Sequence, residues 1–209
     1  MKLALAQISV ETGDVDSNIA SILCYMDKIV SEGVDLLVLP EMSTTGMNWN
    51  RNKELSGRAD SDLKYLSAEA AKRGISFCGS FLEDVGGGLY SNTFYYFNSK
   101  GELLGKYRKS HLFSLFGEDT HALAGDEIVT IDTGFVRVGL SICYDLRFPE
   151  LFRKCLLQGA GLQTLVAAFP HPRLSHWQSL IRARAIENQV YFIAVNQCCL
   201  LYTSDAADE

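Results

Sequence analysis

Residues 139–150 read GLSICYDLRFPE, an apolar run that changes into a polar turn directly before a proline. The run at residues 136–142 predicts a buried strand, and residues 149–157 predict a helix with proline in its first turn. Cys143 therefore lies at the carboxyl end of a strand, where open α/β layers bind ligands and a thiol nucleophile can act. Position alone leaves open the alternative of a small core cysteine.

Two further strand ends carry charged side chains. The run LLVL at residues 36–39 predicts a strand covered on both faces, and Pro40 stops it so that Glu41 follows. A carboxylate in this place can act as a general base, or it can be a helix cap or a solvated loop residue. Lys109 follows a predicted strand at residues 102–107. Its ammonium can stabilise developing negative charge, or it can belong to a solvated basic turn.

The rest of the chain alternates between predicted strands and helices. We predict strands at residues 2–7, 75–81, 92–97, 162–168 and 190–195, and helices at residues 18–30, 61–73 and 174–188. The segment 98–101 predicts a hairpin turn between the strands on either side of it. This alternation predicts one α/β layered domain without an internal repeat or a linker.

The composition excludes several classes of protein. The chain has 209 residues, of which 47% are hydrophobic, and 25 acidic against 19 basic residues give a net charge of −6. It can bury enough apolar surface to fold as a globular domain. We expect no nucleic-acid partner, because the one dense basic cluster, at residues 106–109, is not a sustained basic face. We expect no membrane partner and a cytoplasmic location, since no apolar run approaches about 20 residues and no secretory signal is visible.

The cysteines and histidines show no spacing typical of metal ligands. Six cysteines include no C-x-x-C pair, so we expect free thiols, and we expect neither a metal nor a cofactor. The chain also lacks the Gly-x-Ser-x-Gly, His-Glu-x-x-His, Walker and Gly-x-Gly-x-x-Gly motifs. Serine hydrolases, zinc proteases and nucleotide-binding proteins therefore lose their main support.

Glu41, Lys109 and Cys143 occur in that order within LPEM (39–42), YRKSHLF (107–113) and SICYDLRFPE (141–150). Together with RARAIENQ at residues 182–189, these segments resemble the nitrilase superfamily of carbon–nitrogen hydrolases. The resemblance implies a four-layer α-β-β-α sandwich that pairs into homodimers or larger homo-oligomers. It also implies that residues 1–198 form a carbon–nitrogen hydrolase domain that is incomplete at its C-terminus.

The same resemblance implies a mechanism. The Cys143 thiolate attacks an amide or nitrile carbon, and Glu41 first takes the thiol proton and later activates water. Lys109 and the backbone N–H of Tyr144 hold the oxyanion. Glu118 matches the second glutamate of the family by its position after the lysine motif, and the adjacent Asp119 is the open alternative.

Three segments are similar to the ω-amidase group, which hydrolyses the terminal amide of 2-oxo dicarboxylic acid monoamides. They are LPEMSTTG (39–46), CYDLRFP (143–149) and the pattern P-x-x-R-x-x-H-W (170–177). The similarity implies that Arg147 contacts the substrate carboxylate, as a planar guanidinium can, and that Phe169 forms a pocket wall. In the alternative, Arg147 pairs with Asp145 or Glu150 of its own chain.

Other functions stay open at this point. The segment AFP at residues 168–170 stands where this group often has Asn-Trp-Pro, so another amide, a nitrile or an N-carbamoyl compound is an alternative substrate. A catalytically inactive scaffold that keeps the fold is the alternative from a different class. A low thiol pKa at Cys143 would favour the enzyme over the scaffold.

Residues 199–209, CLLYTSDAADE, depart from this pattern. They resemble a translated sequencing adaptor, so we expect a non-native tail. The strands that follow residue 196 in the family are absent, and a missing edge strand exposes backbone donors and apolar surface. We therefore expect a tendency to associate or aggregate.

Overall fold

The computed structural model describes residues 1–198 and arranges nine strands of this part of the chain in two sheets. The first sheet contains, in chain order, β1 (Leu3–Leu5), β2 (Leu36–Val38), β3 (Ser76–Gly86), β4 (Leu89–Phe97) and β5 (Leu103–Arg108). The second contains β6 (Thr130–Asp132), β7 (Arg137–Ile142), β8 (Leu162–Ala167) and β9 (Tyr191–Asn196).

The helices connect these strands and cover the sheets. They are α1 (Val15–Val30), α2 (Trp49–Lys72), α3 (Glu118–His121), α4 (Pro149–Leu157) and α5 (Leu174–Asn188). Short 3-10 turns lie at Ser114–Phe116, Cys143–Arg147 and His171–Arg173. The predicted bounds of the helices at 149–157 and 174–188 agree with the structure.

Each sheet has a parallel part whose carboxyl ends lie at one edge. β1, β2 and β3 are parallel, whereas β3, β4 and β5 are antiparallel. In the second sheet β7, β8 and β9 are parallel, and β6 is antiparallel to β7. Parallel strands that end at one edge bring the residues after them together, and this is where ligands bind in such sheets.

The two sheets face each other, and the helices lie outside them. Leu36 and Val38 of β2 pack between the sheets with Leu140 and Ile142 of β7. The side chain of Leu37 points to the other face of the sheet and packs with helix residues, because successive side chains of a strand alternate between its two faces. Burial of each such side chain contributes about 1.5–3 kcal/mol to the free energy of folding. The order of layers is α-β-β-α, which confirms the predicted fold.

Helix α4 approaches the second sheet closely at a glycine. A Cβ atom on Gly139 of β7 would lie 2.8 Å from the Cβ atom of Cys155 in α4. Gln163 of β8 donates from Nε2 to the Phe152 carbonyl of the same helix at 2.7 Å. The missing side chain at residue 139 therefore allows the strand that ends at Cys143 to lie directly against its helix.

The largest error of the sequence prediction concerns α2. We predicted a helix at residues 61–73, but α2 begins at Trp49 and is capped by Asn48, whose Oδ1 accepts from the Arg51 N–H at 3.1 Å. The segment between residues 50 and 60 is mostly polar and contains Gly57, so apolar periodicity is weak there. The short elements β6 and α3 were also not predicted.

Two predictions concern the C-terminal tail and the absence of a membrane partner. The predicted non-native tail at residues 199–209 lies outside the described residues, so that expectation and the predicted tendency to aggregate stay predictions. Within residues 1–198, none of the helices has the length and apolar character needed to cross a membrane.

Candidate active site

Three predicted site residues converge between the two sheets. Glu41 follows β2, Lys109 follows β5 and Cys143 follows β7. The exposed fractions are 0% for Glu41, 1% for Lys109 and 9% for Cys143. The solvated alternatives for Glu41 and Lys109 are therefore wrong. Cys143 is buried with the core between the sheets and also lines a pocket.

The backbone of Cys143 has an uncommon conformation. Its φ angle is +45°, in the left-handed region that non-glycine residues rarely adopt. The residue begins the 3-10 turn Cys143–Arg147, and the Ile142 N–H before it donates to Asp145 Oδ2 at 2.9 Å. Strained backbone of this kind persists where surrounding contacts hold it, and it often marks a functional site.

Lys109 lies between two buried carboxylates. Its Nζ atom is 2.9 Å from Glu41 Oε1 and 2.7 Å from Glu118 Oε2. Burial alone would lower the pKa of Lys109, but Glu41 and Glu118 together raise that pKa well above its ordinary value. The ammonium is therefore charged at neutral pH. Because it carries three hydrogens, one remains for a further acceptor.

Glu118, not Asp119, faces the site. Glu118 is fully buried at the start of α3, while Asp119 is exposed. Its Oε2 atom also accepts from the Phe113 N–H at 2.8 Å. Burial raises the pKa of Glu118, and the nearby Glu41 carboxylate adds to this shift while Lys109 opposes it. The loop from Phe113 thus turns the second glutamate onto the lysine.

Glu41 is held on both carboxylate oxygens. Oε1 accepts from Lys109 and also from Asn92 Nδ2 at 2.8 Å, whereas Oε2 accepts from the Ala168 N–H at 2.8 Å. The Gln197 side chain donates from Nε2 to the Glu41 carbonyl at 2.8 Å. Sequence reasoning missed Asn92. The available signal was a polar residue within the buried aromatic strand β4.

The surroundings of the Cys143 thiol favour its protonated form. Burial raises the pKa of Cys143 well above its ordinary value, Glu41 raises it further, and Lys109 opposes the shift. This direction is opposite to the low thiol pKa that would favour the enzyme over the inactive scaffold. The carboxylate that raises this pKa is instead a base placed to receive the thiol proton when the sulfur reacts.

The pocket above Cys143 is small and has cationic walls. It encloses about 360 Å³ of empty space, including its open mouth. Its lining includes Lys109, Cys143, Tyr144, Phe169 and the two arginines Arg147 and Arg173. Met47, Phe113 and Phe116 close its apolar side. The pocket suits a small, negatively charged molecule.

Arg147 is not tied to the carboxylates considered as its alternatives. Among the described residues it forms no ion pair, and its Nη2 atom lies 3.4 Å from His176 Nδ1. Its guanidinium carbon lies 5.8 Å from the centre of the Phe169 ring. Phe169 lines the same pocket, and its contact with a substrate stays a prediction. Arg173, quoted in a motif but given no role from sequence, is the second cation of the wall.

The backbone of Phe169 is fixed by one asparagine of the last described strand. The Phe169 N–H donates to Asn196 Oδ1 at 2.6 Å, and Asn196 Nδ2 donates to the Phe169 carbonyl at 2.9 Å. The ring contacts Trp177 of α5 with a centroid distance of 5.4 Å. The pocket wall is thus held from β9 and from α5 at once.

The basic cluster at residues 106–109 is divided between two environments. Lys106 and Arg108 pair with Glu83 at 2.6 and 2.8 Å on one side of β5. Tyr107 and Lys109 point into the interior, where the Tyr107 hydroxyl donates to Asp145 Oδ2 at 2.8 Å. The two-residue period of the strand accounts for this division. Within residues 1–198 no group of three His, Cys, Asp or Glu side chains is suited to hold a metal.

Comparison with known proteins defines the class. The family model for carbon-nitrogen hydrolases matches residues 2–205, and the chain belongs to this family. A 2-oxoglutaramate amidase of Bacillus subtilis is 36% identical over 93% of this chain and 75% of its own length. An omega-amidase of Homo sapiens is 33% identical over 91% of this chain and 72% of its own length.

Solved structures agree with this assignment. A Saccharomyces cerevisiae protein, described as a member of branch 10 of the nitrilase superfamily, superposes with a TM-score of 0.88. It is 30% identical in sequence, and the match covers 98% of this chain and 78% of that one. The predicted family and fold are confirmed.

Proposed function

We propose that this protein is a thiol-dependent amidase that releases ammonia from the terminal amide of a small 2-oxo dicarboxylic acid monoamide, of the 2-oxoglutaramate or 2-oxosuccinamate type. One observation carries the proposal. The buried Lys109, bonded to Glu41 and Glu118, lies beside Cys143 at the base of a pocket whose wall contains two arginines. The names of the Bacillus subtilis and Homo sapiens relatives support the same activity.

The first half of the reaction forms a thioester. The Cys143 sulfur bonds to the amide carbon while Glu41 accepts the thiol proton, and the carbonyl oxygen becomes an oxyanion. When the tetrahedral intermediate collapses, the C–N bond breaks. The nitrogen takes the proton from Glu41 and leaves as ammonia. Glu41 is a carboxylate again at this point, which prepares it for the second half.

The second half hydrolyses the thioester. Glu41 accepts a proton from water, and the hydroxide oxygen bonds to the thioester carbon. The C–S bond then breaks, the sulfur recovers its proton from Glu41 and the free acid leaves. The sum is one amide and one water converted into one acid and one ammonia. A single carboxylate therefore serves as base and acid in both halves.

Two donors are available for the oxyanion. Lys109 uses two of its hydrogens on Glu41 and Glu118, and the third is free for a substrate oxygen. Tyr144 lies in the first turn of the 3-10 segment Cys143–Arg147, where backbone N–H groups have no partner within the helix. Glu118 orients Lys109 for this role, so it acts as a positioning residue unless it also contacts the substrate.

The substrate end of the pocket selects for a carboxylate. Arg147 can pair through two N–H groups with the substrate carboxylate, and the Phe169 ring packs against the short carbon chain. The two arginines of the wall favour a substrate that carries a carboxylate in addition to its amide. A direct assay distinguishes this substrate class from the alternatives, which are a different small amide, a nitrile or an N-carbamoyl acid.

The test is ammonia release from 2-oxoglutaramate, compared with glutamine, simple nitriles and N-carbamoyl amino acids. We expect preferential release from the oxo-acid amide, complete loss of release in Cys143→Ala and no change in Cys24→Ala, since Cys24 is exposed on α1. Turnover of one of the other compounds, without turnover of 2-oxoglutaramate, would refute the proposed substrate class. Silence on every compound by the folded protein would favour the inactive scaffold.

We also propose that the protein acts as a homodimer or larger homo-oligomer in the cytoplasm. Exposed apolar side chains on the outer helices support the assembly, among them Leu157 of α4 at 79% and Ile186 of α5 at 75%. The five cysteines among the described residues are free, which suits a reducing compartment. Light scattering after size-exclusion chromatography tests the assembly, and a monomer at micromolar concentration would refute it. Cell fractionation tests the location.

A further inference from the structure

Asn92 of β4 contacts both carboxylates of the site. Its Nδ2 atom lies 2.8 Å from Glu41 Oε1 and 3.1 Å from Glu118 Oε1, and all three side chains are fully buried. An amide nitrogen carries two hydrogens, so both hydrogen bonds can form at the same time. Asn92 therefore bridges the two glutamates as Lys109 does, and both donate to the same Oε1 atom of Glu41.

Ser80 of β3 fixes the orientation of this amide. The Met42 N–H donates to Ser80 Oγ at 3.0 Å, and Ser80 Oγ in turn donates to Asn92 Oδ1. A backbone N–H can only donate, so the Ser80 hydroxyl hydrogen is directed to Oδ1. The Asn92 nitrogen must then face the carboxylates. The relay begins at Met42 and returns to the side chain of Glu41, the preceding residue.

The relay makes the two oxygens of Glu41 unequal. Oε1 accepts from both Lys109 Nζ and Asn92 Nδ2, whereas Oε2 accepts from the Ala168 N–H, which also contacts the Cys143 thiol. With two strong donors Oε1 has its lone pairs in use, and Oε2 keeps a lone pair for a further proton. The thiol of Cys143 is the nearby proton donor.

We infer that Asn92, oriented by Ser80, is a positioning residue that directs Oε2 of Glu41 toward the Cys143 proton and stabilises the negative charge of the carboxylate by a hydrogen bond to Oε1. The inference rests on the proposed function, in which Glu41 is the base. Charge supports it as well. The buried site holds the carboxylates of Glu41 and Glu118 against the single ammonium of Lys109, with the thiol of Cys143 beside them. Asn92 donates two hydrogen bonds to these two carboxylates. Because its amide is neutral, it does not compete with Lys109 for the oxyanion.

The effect of removing the Asn92 donors on the rate and on its pH dependence can be predicted. In Asn92→Leu, which has nearly the same shape, both carboxylates lose a hydrogen bond and a proton binds the pair more easily. We expect kcat to fall about 100-fold, KM to change less than about threefold, and the acid limb of the rate profile to move up by about one pH unit or more.

The experiment measures the rate at which iodoacetamide alkylates Cys143 in the full chain from pH 5 to 9, by mass spectrometry of the peptide that contains it. It compares wild type with Asn92→Leu, Ser80→Ala and Ser91→Ala. Ser91→Ala is the matched control, because Ser91 is buried next to Asn92 on β4 but donates to the Leu123 carbonyl, away from the site. Folding of each variant is checked by circular dichroism.

We expect the acid limb of alkylation to move upward in Asn92→Leu, to move less in Ser80→Ala and to stay unchanged in Ser91→Ala. An unchanged limb in folded Asn92→Leu would overturn the inference. If Asn92→Leu does not fold, an unchanged limb in Ser80→Ala would overturn it equally. Alkylation of Cys143 does not need the substrate. If the acid limb of alkylation shifts in Asn92→Leu but the wild-type protein hydrolyses no amide, the role of Asn92 is supported and only the proposed function is refuted.

Discussion

The Nδ1 atom of His111 lies 2.7 Å from Asp145 Oδ1, and this contact joins the loop after Lys109 to the turn that begins at Cys143. The buried Asp145 carboxylate also accepts from the His111 N–H at 3.2 Å, from the Tyr107 hydroxyl and from the Ile142 N–H. One carboxylate thus fixes the distance between the lysine and the cysteine, although it touches neither side chain in the described contacts.

Asp145→Asn tests this connection. An amide cannot accept from four donors, so we expect the free energy of unfolding to fall by about 2–4 kcal/mol and kcat to fall with it. Urea unfolding followed by circular dichroism measures the first effect. Asp132→Asn is the control, because Asp132 is exposed and 3.8 Å from Arg137, and we expect a change within about 0.5 kcal/mol. Equal effects of the two variants would contradict the account.

Glu118→Gln tests the second carboxylate. The amide keeps the shape but removes the charge that faces Lys109, so we expect kcat to fall about 100-fold while the protein stays folded. Steady-state kinetics with the amide substrate measures this. Asp119→Asn changes the exposed neighbour in the same way, and its kcat is expected to stay within about twofold of wild type. A larger effect at Asp119 than at Glu118 would reverse the assignment.

Arg147→Leu tests the recognition of the substrate carboxylate. We expect kcat/KM for the 2-oxo acid amide to fall about 100-fold, since a bidentate pair is lost, and kcat/KM for a neutral amide of equal length to change less than about threefold. Arg182→Leu, at an exposed position of α5, is the control. An equal loss for both substrates would show that Arg147 supports the pocket wall and not the carboxylate.

Glu83→Gln gives a pH-dependent change in stability. Burial opposes ionisation of Glu83, but hydrogen bonds from Arg108, Lys106 and Thr93 lower its pKa to about 2. The folded pKa lies below the unfolded value of about 4.3, so the stabilisation is present above about pH 4.3 and is lost as the pH falls toward 2.

At pH 7 we expect Glu83→Gln to lower the free energy of unfolding by about 1 kcal/mol, because both cationic partners are partly exposed and screened. The difference from wild type should shrink steadily below about pH 4.3. Urea unfolding at several pH values measures it, with Glu32→Gln, at an exposed position after α1, as control. A difference that grows on acidification would contradict the sign of the shift.

The strand ends were predictable because their physical signal is local. An apolar run stopped by proline places Glu41, and an apolar run that turns polar places Cys143, whichever partner strands surround them. The family resemblance then supplied the layer order, which periodicity alone does not give. Glu118 was distinguished from Asp119 only by the structure, because the loop from Phe113 decides which of two adjacent carboxylates turns inward.

The hydrogen-bond network around Glu41 was not predictable in the same way. Asn92 and Ser80 reach the site only because β3 and β4 pair antiparallel, with long-range partners that no local pattern specifies. Arg147 shows the same limit. The sequence left open whether Arg147 binds the substrate carboxylate or a carboxylate of its own chain. In the structure, Tyr107 and His111 already form hydrogen bonds with Asp145, so this carboxylate is not available to Arg147.

In the proposed mechanism the acyl group of the substrate passes through a thioester on Cys143. Mixing the protein with 2-oxoglutaramate, quenching with acid within the first turnovers and mapping the peptides by mass spectrometry tests it most directly. We predict an adduct with the mass of the substrate minus ammonia on the peptide containing Cys143, absent from Cys143→Ala. Ammonia release without this adduct, or release that persists in Cys143→Ala, would contradict the account.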